Sequence, residues 1–377
     1  MEFKEEHIAF RKIMREFADS EIAPYAREWD RTRTFPLDTV AKMGELGLFG
    51  LPFDERYGGS SSDFTTLCIA IEELARVDQS IAITLEAAVG LGINPIAEFG
   101  TEQQQDRWLP DLVAGRALAG FGLTEPGSGS DASEITTRAE LVDGTWIING
   151  SKAFITNSGT EITSLVTITA KTGPSEISSF IIPTDTPGFE VEPAYDKMGW
   201  HASDTHGLRF EDCRVPEDHL LGTRGHGFRQ FMSILDDGRI AIAALAVGVL
   251  QACLEETTAY AKDRTSFGQS IGSYQAVAFR IADIEVMAEA ARLLTYKAAW
   301  LKDTGQPYRH AAARAKLYAT ESAVSATRMA TQIFGGAGFL DDTLVARHYR
   351  DAKVLEIGEG TSEIQRIVIA RGLGLDV

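Results

Sequence analysis

At 377 residues the chain is too long for one ordinary hydrophobic core and suggests two or three domains. Its 44% apolar and 24% charged residues describe a globular chain and exclude a disordered one. The formal net charge of −18 argues against nucleic acid, whose phosphates need a basic footprint, and leaves any anionic ligand to a local cluster of donors.

The opening "MEFKEEHIAFRKIMREF" is acidic and already helical in pattern, with no signal or transit peptide ahead of it. Phe10, Ile13, Met14 and Phe17 follow the i, i+3, i+4, i+7 spacing of a core-facing stripe. Pro24, Pro36 and "YGGSSSD" punctuate the next stretch, and helices are expected at about 64–78, 80–98 and 102–114. Character changes near Leu118: to about Gly222 the chain is rich in Thr, Ser, Ile and Val, with turns at Asp143-Gly144, Asn149-Gly150, Ser158-Gly159, Gly173-Pro174 and Pro187-Gly188. "SLVTITAKTG" and "SSFIIPTDTPG" read as strands between them. Helix returns from Phe228. The apolar run Ile240 to Leu254 is too short to span a bilayer and reads as a buried helix. Val277, Ile281, Ile284, Ala288 and Ala291 share one face of a long helix, and 309–334 is another. Helices, strands, then helices predict an α+β protein: a helical domain over 1–118, a β domain over 119–222 and a helical domain over 223–377.

Cys68, Cys213 and Cys253 are odd in number and widely spaced, which fits a reducing, cytoplasmic setting and neither a disulfide framework nor a zinc site. His201, His206, His219 and His226 have no metal-ligand spacing, so no metal is expected.

Several short motifs stand out. "TEPGSGSDA" formally fits a dinucleotide fingerprint, but a strand-like segment follows where a helix must begin, so the Rossmann reading is rejected. What remains is a Gly/Ser loop, either an ordinary β-turn or one offering backbone N–H groups and the hydroxyls of Thr124 and Ser130 to something polar. In "INGSKAFITNSG", Phe154 and Thr156 lie two apart on a strand, suited to lining a flat ring or to core packing. "DRTSFGQSIGSYQ" sets Arg264 beside an exposed-looking Phe267, for a phosphate contact or a surface ion pair. "QIFGGAG" closes a helix with more glycines than a cap needs. "VLEIGEGTSEIQR" holds one acid, Glu359, between Gly358 and Gly360, a poor helix and a poor strand, hence a turn whose reactive side chain is the glutamate.

Taken in order, "LTEPGSGSD", "ITN", "MGWHASDTHGLRFEDCRVP", "DRTSFG…Q", "QIFGGAGF" and "EGTSEIQR" resemble the acyl-CoA dehydrogenase family over nearly the whole chain. The resemblance implies a helical N-terminal domain, a middle β-barrel-like domain and a C-terminal four-helix bundle. It implies FAD, an acyl-CoA substrate, an electron-transferring flavoprotein as acceptor, and a homotetramer or dimer whose neighbours complete each flavin site, with no membrane association. By matched position, Phe121, Leu123, Thr124 and Ser130 would lie along the flavin and the substrate thioester, with Phe154 and Thr156 on the flavin's other side. Arg264, Phe267, Gln275, Gln332 and Gly336 would hold the pyrophosphate and adenosine, and Thr361 and Glu363 the phosphate and ribityl portion. Ser130, Asp236, Arg239, Gly360 and Arg371 would meet the substrate. Glu359 falls on the family's catalytic base. One branch carries its base at the position of Gly238, and glycine there leaves Glu359 without a rival.

The implied reaction removes the hydrogens at Cα and Cβ of a short- to medium-chain acyl-CoA to give the trans-2-enoyl-CoA, with Glu359 taking the α-proton and the β-hydride passing to flavin N5. Substrate binding is expected to raise the pKa of Glu359 by excluding water. Glu86, in "ITLEAAVGLG", maps to a helix lining the acyl pocket, and Gly358 opens space beside the base. The alternatives are an acyl-CoA oxidase using O2 and a member that only binds flavin or a CoA ester.

Overall fold

The computed structural model describes residues 3–377; Met1 and Glu2, part of the stretch read as free of a leader, lie outside it. The N-terminal third is helical: α1 (Glu5–Phe17), α2 (Ala23–Thr32), α3 (Leu37–Glu45), α4 (Phe64–Val77), α5 (Gln79–Glu86), α6 (Asn94–Phe99) and α7 (Glu102–Val113). Side-chain caps explain several starts: Asp63 accepts from Thr66 N, Asp78 from Ser80 N and Ile81 N, and Thr101 forms a capping box with Gln104. A π-helical segment (Ala87–Ile93) joins α5 to α6 into one continuous rod. Of the stripe expected on α1, Met14 is buried and Phe10 and Phe17 are half-buried, but Ile13 is 52% exposed. The face that packs is His7, Met14 and Ala18, one step round from Ile13, because Arg11 and Arg15 turn inward to the buried carboxylates of Glu72 and Glu73.

The middle segment is β1 (Leu118–Gly122), β2 (Arg138–Val142), β3 (Thr145–Thr156), β4 (Thr163–Gly173), β5 (Glu176–Pro183), β6 (Phe189–Val191), β7 (Thr205–Pro216) and β8 (Leu220–Leu221). They form one eight-stranded sheet in the order β6-β7-β3-β2-β4-β5-β8, with β1 pairing parallel to β4 beside that path. The barrel does not close, a correction to the barrel-like expectation. β6 and β8 remain separate edges, and β2 meets β4 only at Arg138 and Lys171. This sheet has its own core around Trp146, Ile148, Phe180 and Phe210.

After the sheet come α8 (Gly227–Asp263), a small hairpin of β9 (Thr265–Ser266) and β10 (Gln269–Ser270), α9 (Gln275–Asp303), α10 (Arg309–Phe334), α11 (Leu344–Ala352) and α12 (Ser362–Gly372). The buried faces of α8, α9 and α10 merge with those of α4 and α5 in one hydrophobic cluster, so the two helical parts share a core. The apolar run in α8 is longer than its sequence bounds suggest. The helix has 37 residues and, with Gln79–Phe99, is long and apolar enough to cross a membrane, yet 78% of each apolar window is buried inside the protein.

Sheet and helices are pinned at Trp200, in the loop before β7. Its backbone N–H donates to Asp351 Oδ1 at 2.7 Å and its indole N–H to Gln79 Oε1 at 3.2 Å, while Gln79 Nε2 meets His348 Nδ1 at 3.0 Å.

Candidate active site

The turn after the short 3₁₀ helix Lys353–Glu356 carries Glu359 in the left-handed region, φ +52°, followed by Gly360 at +90°. For a residue with a Cβ that conformation costs on the order of 1–2 kcal/mol and persists only where the surroundings fix it. Here they do. Lys316 Nζ on α10 donates to Gly360 O at 2.9 Å, and Gln365 Nε2 donates to Gly360 O at 2.8 Å and to Glu359 O at 3.4 Å. Thr361 then caps α12, its Oγ1 accepting from Ile364 N at 3.3 Å.

The two flanking glycines play different parts. Gly360 needs its freedom for the positive φ, and a Cβ there would press to 2.9 Å from Gln365 Nε2. A Cβ on Gly358 would meet only Val354 O at 3.6 Å, an ordinary contact, so nothing in the protein fills the space beside it. The glycine that admits the acid is Gly238 on α8: a Cβ built there would overlap Glu359 Oε2. The carboxyl group therefore rests on bare helix backbone.

Both oxygens of Glu359 are shut from solvent and meet no N–H or O–H donor. Burial raises its pKa. The neighbouring Glu86 carboxyl and the charges of Lys316 and Arg239 pull the other way, and Asp237 adds to the rise. Glu86, 1% exposed at the end of α5, is raised well above the carboxylate range by its own burial and by Glu359. Lys316, fully buried, is lowered to about 8 by burial, against the attraction of Glu359. A cavity of ≈ 640 Å³, in the size range of small-molecule pockets, is lined by Val89, Gly90, Asn94 and Asp237 among others, but by none of Glu86, Lys316 and Glu359.

At the sheet, Phe154 sits in a bulge. The pairing of β3 with β7 slips between Lys152 and Ile155, φ at Phe154 is +62°, and its ring is 66% exposed. Thr124 and Thr156 are half-buried, while Ser130 and the backbone of Gly127 and Gly129 are open. Phe121 stacks on Phe231 with ring centroids 4.1 Å apart, in an apolar cluster with Leu123 and Ile234. Beneath the loop lies a residue that sequence reasoning missed. Lys152, wholly buried, donates to Glu125 Oε1 at 2.9 Å, and to Leu123 O and Thr169 Oγ1 at 3.3 Å each. Glu125 also accepts from Thr136 N and Thr137 N. The available signal was a lysine at an inward position of a half-buried strand.

The other predicted residues form separate groups. Arg264, Phe267 and Gln275 are exposed around the β9–β10 hairpin, with Phe267 95% exposed at φ +50°. Gln332 and Gly336, at the end of α10, are brought to the same end of the bundle, because Tyr260 stacks on Phe334 at 4.1 Å. Tyr260 and Gly238 are 22 residues apart on α8, about 33 Å at 1.5 Å per residue, so this end is remote from Glu359. Asp236 pairs with Arg239 and lies 3.6 Å from Arg309. Glu363 is exposed in the first turn of α12. Arg371 donates to Val377 O at 2.8 Å. The four histidines do not converge: His201 lies by Asp30, His206 by Asp204, His219 by the Ile181 carbonyl, and His226 is exposed.

An exposed ring at a strand end, flanked by hydroxyls and a bare Gly/Ser turn, together with a desolvated carboxyl on bare helix, suits a flat aromatic cofactor and proton abstraction from a weak acid. A helical–sheet–helical chain with that pair of features has what a flavin-dependent oxidoreductase needs. Three family models match in succession: acyl-CoA dehydrogenase N-terminal domain over residues 4–116, middle domain over 120–213 and C-terminal domain over 225–374. The chain belongs to the acyl-CoA dehydrogenase family. A probable acyl-CoA dehydrogenase of Bacillus subtilis is 48% identical over 99% of both chains, and a short-chain-specific acyl-CoA dehydrogenase of Clostridium acetobutylicum 44% identical over 96% of both. The butyryl-CoA dehydrogenase structure from Megasphaera elsdenii superposes with a TM-score of 0.96 at 40% identity over 100% of both chains. A structure described as an electron transferring flavoprotein of Acidaminococcus fermentans gives 0.97 at 42% identity, again over 100% of both. The protein is an acyl-CoA dehydrogenase, an FAD-dependent oxidoreductase.

Proposed function

We propose that this enzyme oxidises a short-chain saturated acyl-CoA to its trans-2-enoyl-CoA, with Glu359 as the base that takes the α-proton. The observation that carries this is the Glu359 carboxyl group, shut from water, without a donor on either oxygen, and seated on α8 at Gly238. A carboxylate stripped of hydration is a stronger base than one in water, and a well-placed general base contributes about 10²–10⁴-fold. The backbone N–H of Glu359 is taken to face the thioester carbonyl and steady the charge that develops there. FAD, when bound, supplies the two-electron acceptor at N5 for the β-hydride.

Thr124, Ser130, Phe154 and Thr156 are assigned to the ring system, where an open aromatic face and hydroxyls meet its needs. Asp236, Arg239 and Gly360 are assigned to the acyl-CoA. Arg264, Phe267, Gln275, Gln332 and Gly336 lie about 33 Å along α8 from the base, so we assign them to the dinucleotide end of a partner subunit's FAD. That makes the working unit an oligomer. Short chains are preferred because relatives above 40% identity are described as short-chain specific. Electron-transferring flavoprotein is taken as the acceptor from the Acidaminococcus neighbour. Three buried, unpaired cysteines suit a reducing cytoplasm.

Anaerobic mixing of the FAD-loaded enzyme with butyryl- to octanoyl-CoA should bleach the flavin band. Glu359→Gln should bind these esters and bleach at least about 10²-fold more slowly. Reduction at the wild-type rate would remove Glu359 from the role. Reoxidation by electron-transferring flavoprotein and not by air distinguishes a dehydrogenase from an oxidase.

A further inference from the structure

The turn that carries Glu359 is bonded mostly to itself. The N–H groups of Ile357 and Gly358 donate to Val354 O at 2.9 and 2.8 Å, and Gln365 holds the carbonyls of Glu359 and Gly360 from the helix that follows. Such local bonds would travel with the turn if it moved as a body. Among the described residues, one hydrogen bond reaches residues 357–361 from outside the stretch 353–366. It runs from Lys316 Nζ to Gly360 O, across 44 positions of chain. Farther along α12 the Arg366–Glu321 pair also spans to α10, but it is exposed, and exposed pairs contribute little.

For a mere tie, lysine is a costly choice. Lys316 is wholly buried, and Gly360 O is the one acceptor that its nitrogen meets among the described residues. An ammonium brings three donors, so the protein satisfies one of three. Burying a charge on those terms lowers stability, and an apolar side chain of similar volume would fill the space without that loss. What the bond does secure is direction. Glu359 Oε2 rests on α8 at Gly238, where a Cβ would overlap it, and the carbonyl one residue further on is held from α10. Both helices lie in the shared core. The tip of the acid and the backbone beside it are therefore fixed to two packed helices.

We propose that Lys316 is a positioning residue for the base: from α10 it holds the Gly360 carbonyl and so keeps the Glu359 carboxyl directed from its seat on α8 toward the substrate's α-carbon. The inference rests on Glu359 being the base. A reacting group displaced by about 1 Å loses on the order of 10²-fold in rate, which is why one long-range bond to the turn matters to the reaction.

The test is Lys316→Met in the FAD-loaded enzyme, which keeps the bulk of the side chain and removes its donors. Anaerobic flavin reduction by butyryl-CoA should slow about 10–10²-fold with Kd for the ester little changed, and the melting temperature should not fall. Amide hydrogen exchange of residues 357–361 should quicken while α8 and α10 stay protected. In Glu359→Gln, adding Lys316→Met should cost no further rate, because a residue that acts through the base has nothing left to position. An unchanged rate, unchanged exchange, or a loss that adds in full to that of Glu359→Gln overturns the proposal. So does a variant that melts lower or fails to fold, which would make Lys316 a structural prop. Failure of the base assignment reads differently: Glu359→Gln would then reduce its flavin at the parent rate, whatever Lys316→Met does.

Discussion

Gly238 shows how much a single missing methyl group decides. It sits inside a 37-residue helix, where glycine costs roughly 0.5–1 kcal/mol relative to alanine. The space it leaves is filled by Glu359 Oε2. Gly238→Ala should fold, at an overpacking cost of about 1–3 kcal/mol, and push the carboxyl group off α8. Flavin reduction by butyryl-CoA is expected to slow at least about tenfold while FAD stays bound; an unchanged rate would mean that the turn gives way instead. The sequence marked the acid and its glycine neighbours, and it marked Gly238 as an empty rival position. It did not show that the two positions touch, because they are 121 positions apart in the chain. Ile13 is the converse case. Apolar spacing placed it inside, but the buried Glu72 and Glu73 drew Arg11 and Arg15 inward and rotated the packed face.

On the scale of elements, the loop from Thr124 to Ser130 depends on a buried ion pair beneath it. Lys152 is lowered to about 8 by burial, against the pull of Glu125; Glu125 is held at about 2 despite burial, by Lys152 and by hydrogen bonds from Thr137 and Thr136. Lys152→Met leaves an uncompensated buried carboxylate, which costs on the order of 3–5 kcal/mol. The variant should melt lower and lose FAD on gel filtration, and adding Glu125→Gln should recover part of the loss; an unaltered melting temperature in Lys152→Met would contradict this. The sign with pH follows from Glu125. Its folded value lies below its unfolded one, so its stabilisation is complete above about pH 4.5 and is lost as pH falls toward 2. Turn residues and strand alternation made the sheet's strands legible. The bulge at Phe154 was not, because it is a slip of β3 against β7, a partner about 50 residues further along.

For the whole molecule, α8 is the axis: it lies in the core shared by both helical parts, it meets Glu359 at Gly238, and near its C-terminal end Tyr260 stacks on Phe334 beside Gln332 and Gly336. On α9, Phe279, Val286 and Leu293 recur every seven residues and are 61%, 66% and 55% exposed, a stripe that a monomer would leave to water. The double variant Val286→Glu, Leu293→Glu should sediment as a 41.0 kDa protomer and release FAD, while the parent sediments as a multiple of that mass. A double variant that keeps the parent's mass would free this stripe of any role in assembly. Sequence by itself determined the helix–sheet–helix order, the burial of α8 and the acid in its glycine turn, because periodicity, turn residues and backbone freedom are properties of short segments. The tertiary structure alone decided that the sheet stays open, that the helical parts share one core, and that the turn of Glu359 meets Gly238 and Lys316. Burial and contacts of this kind arise between segments far apart in the chain, and no local pattern records them.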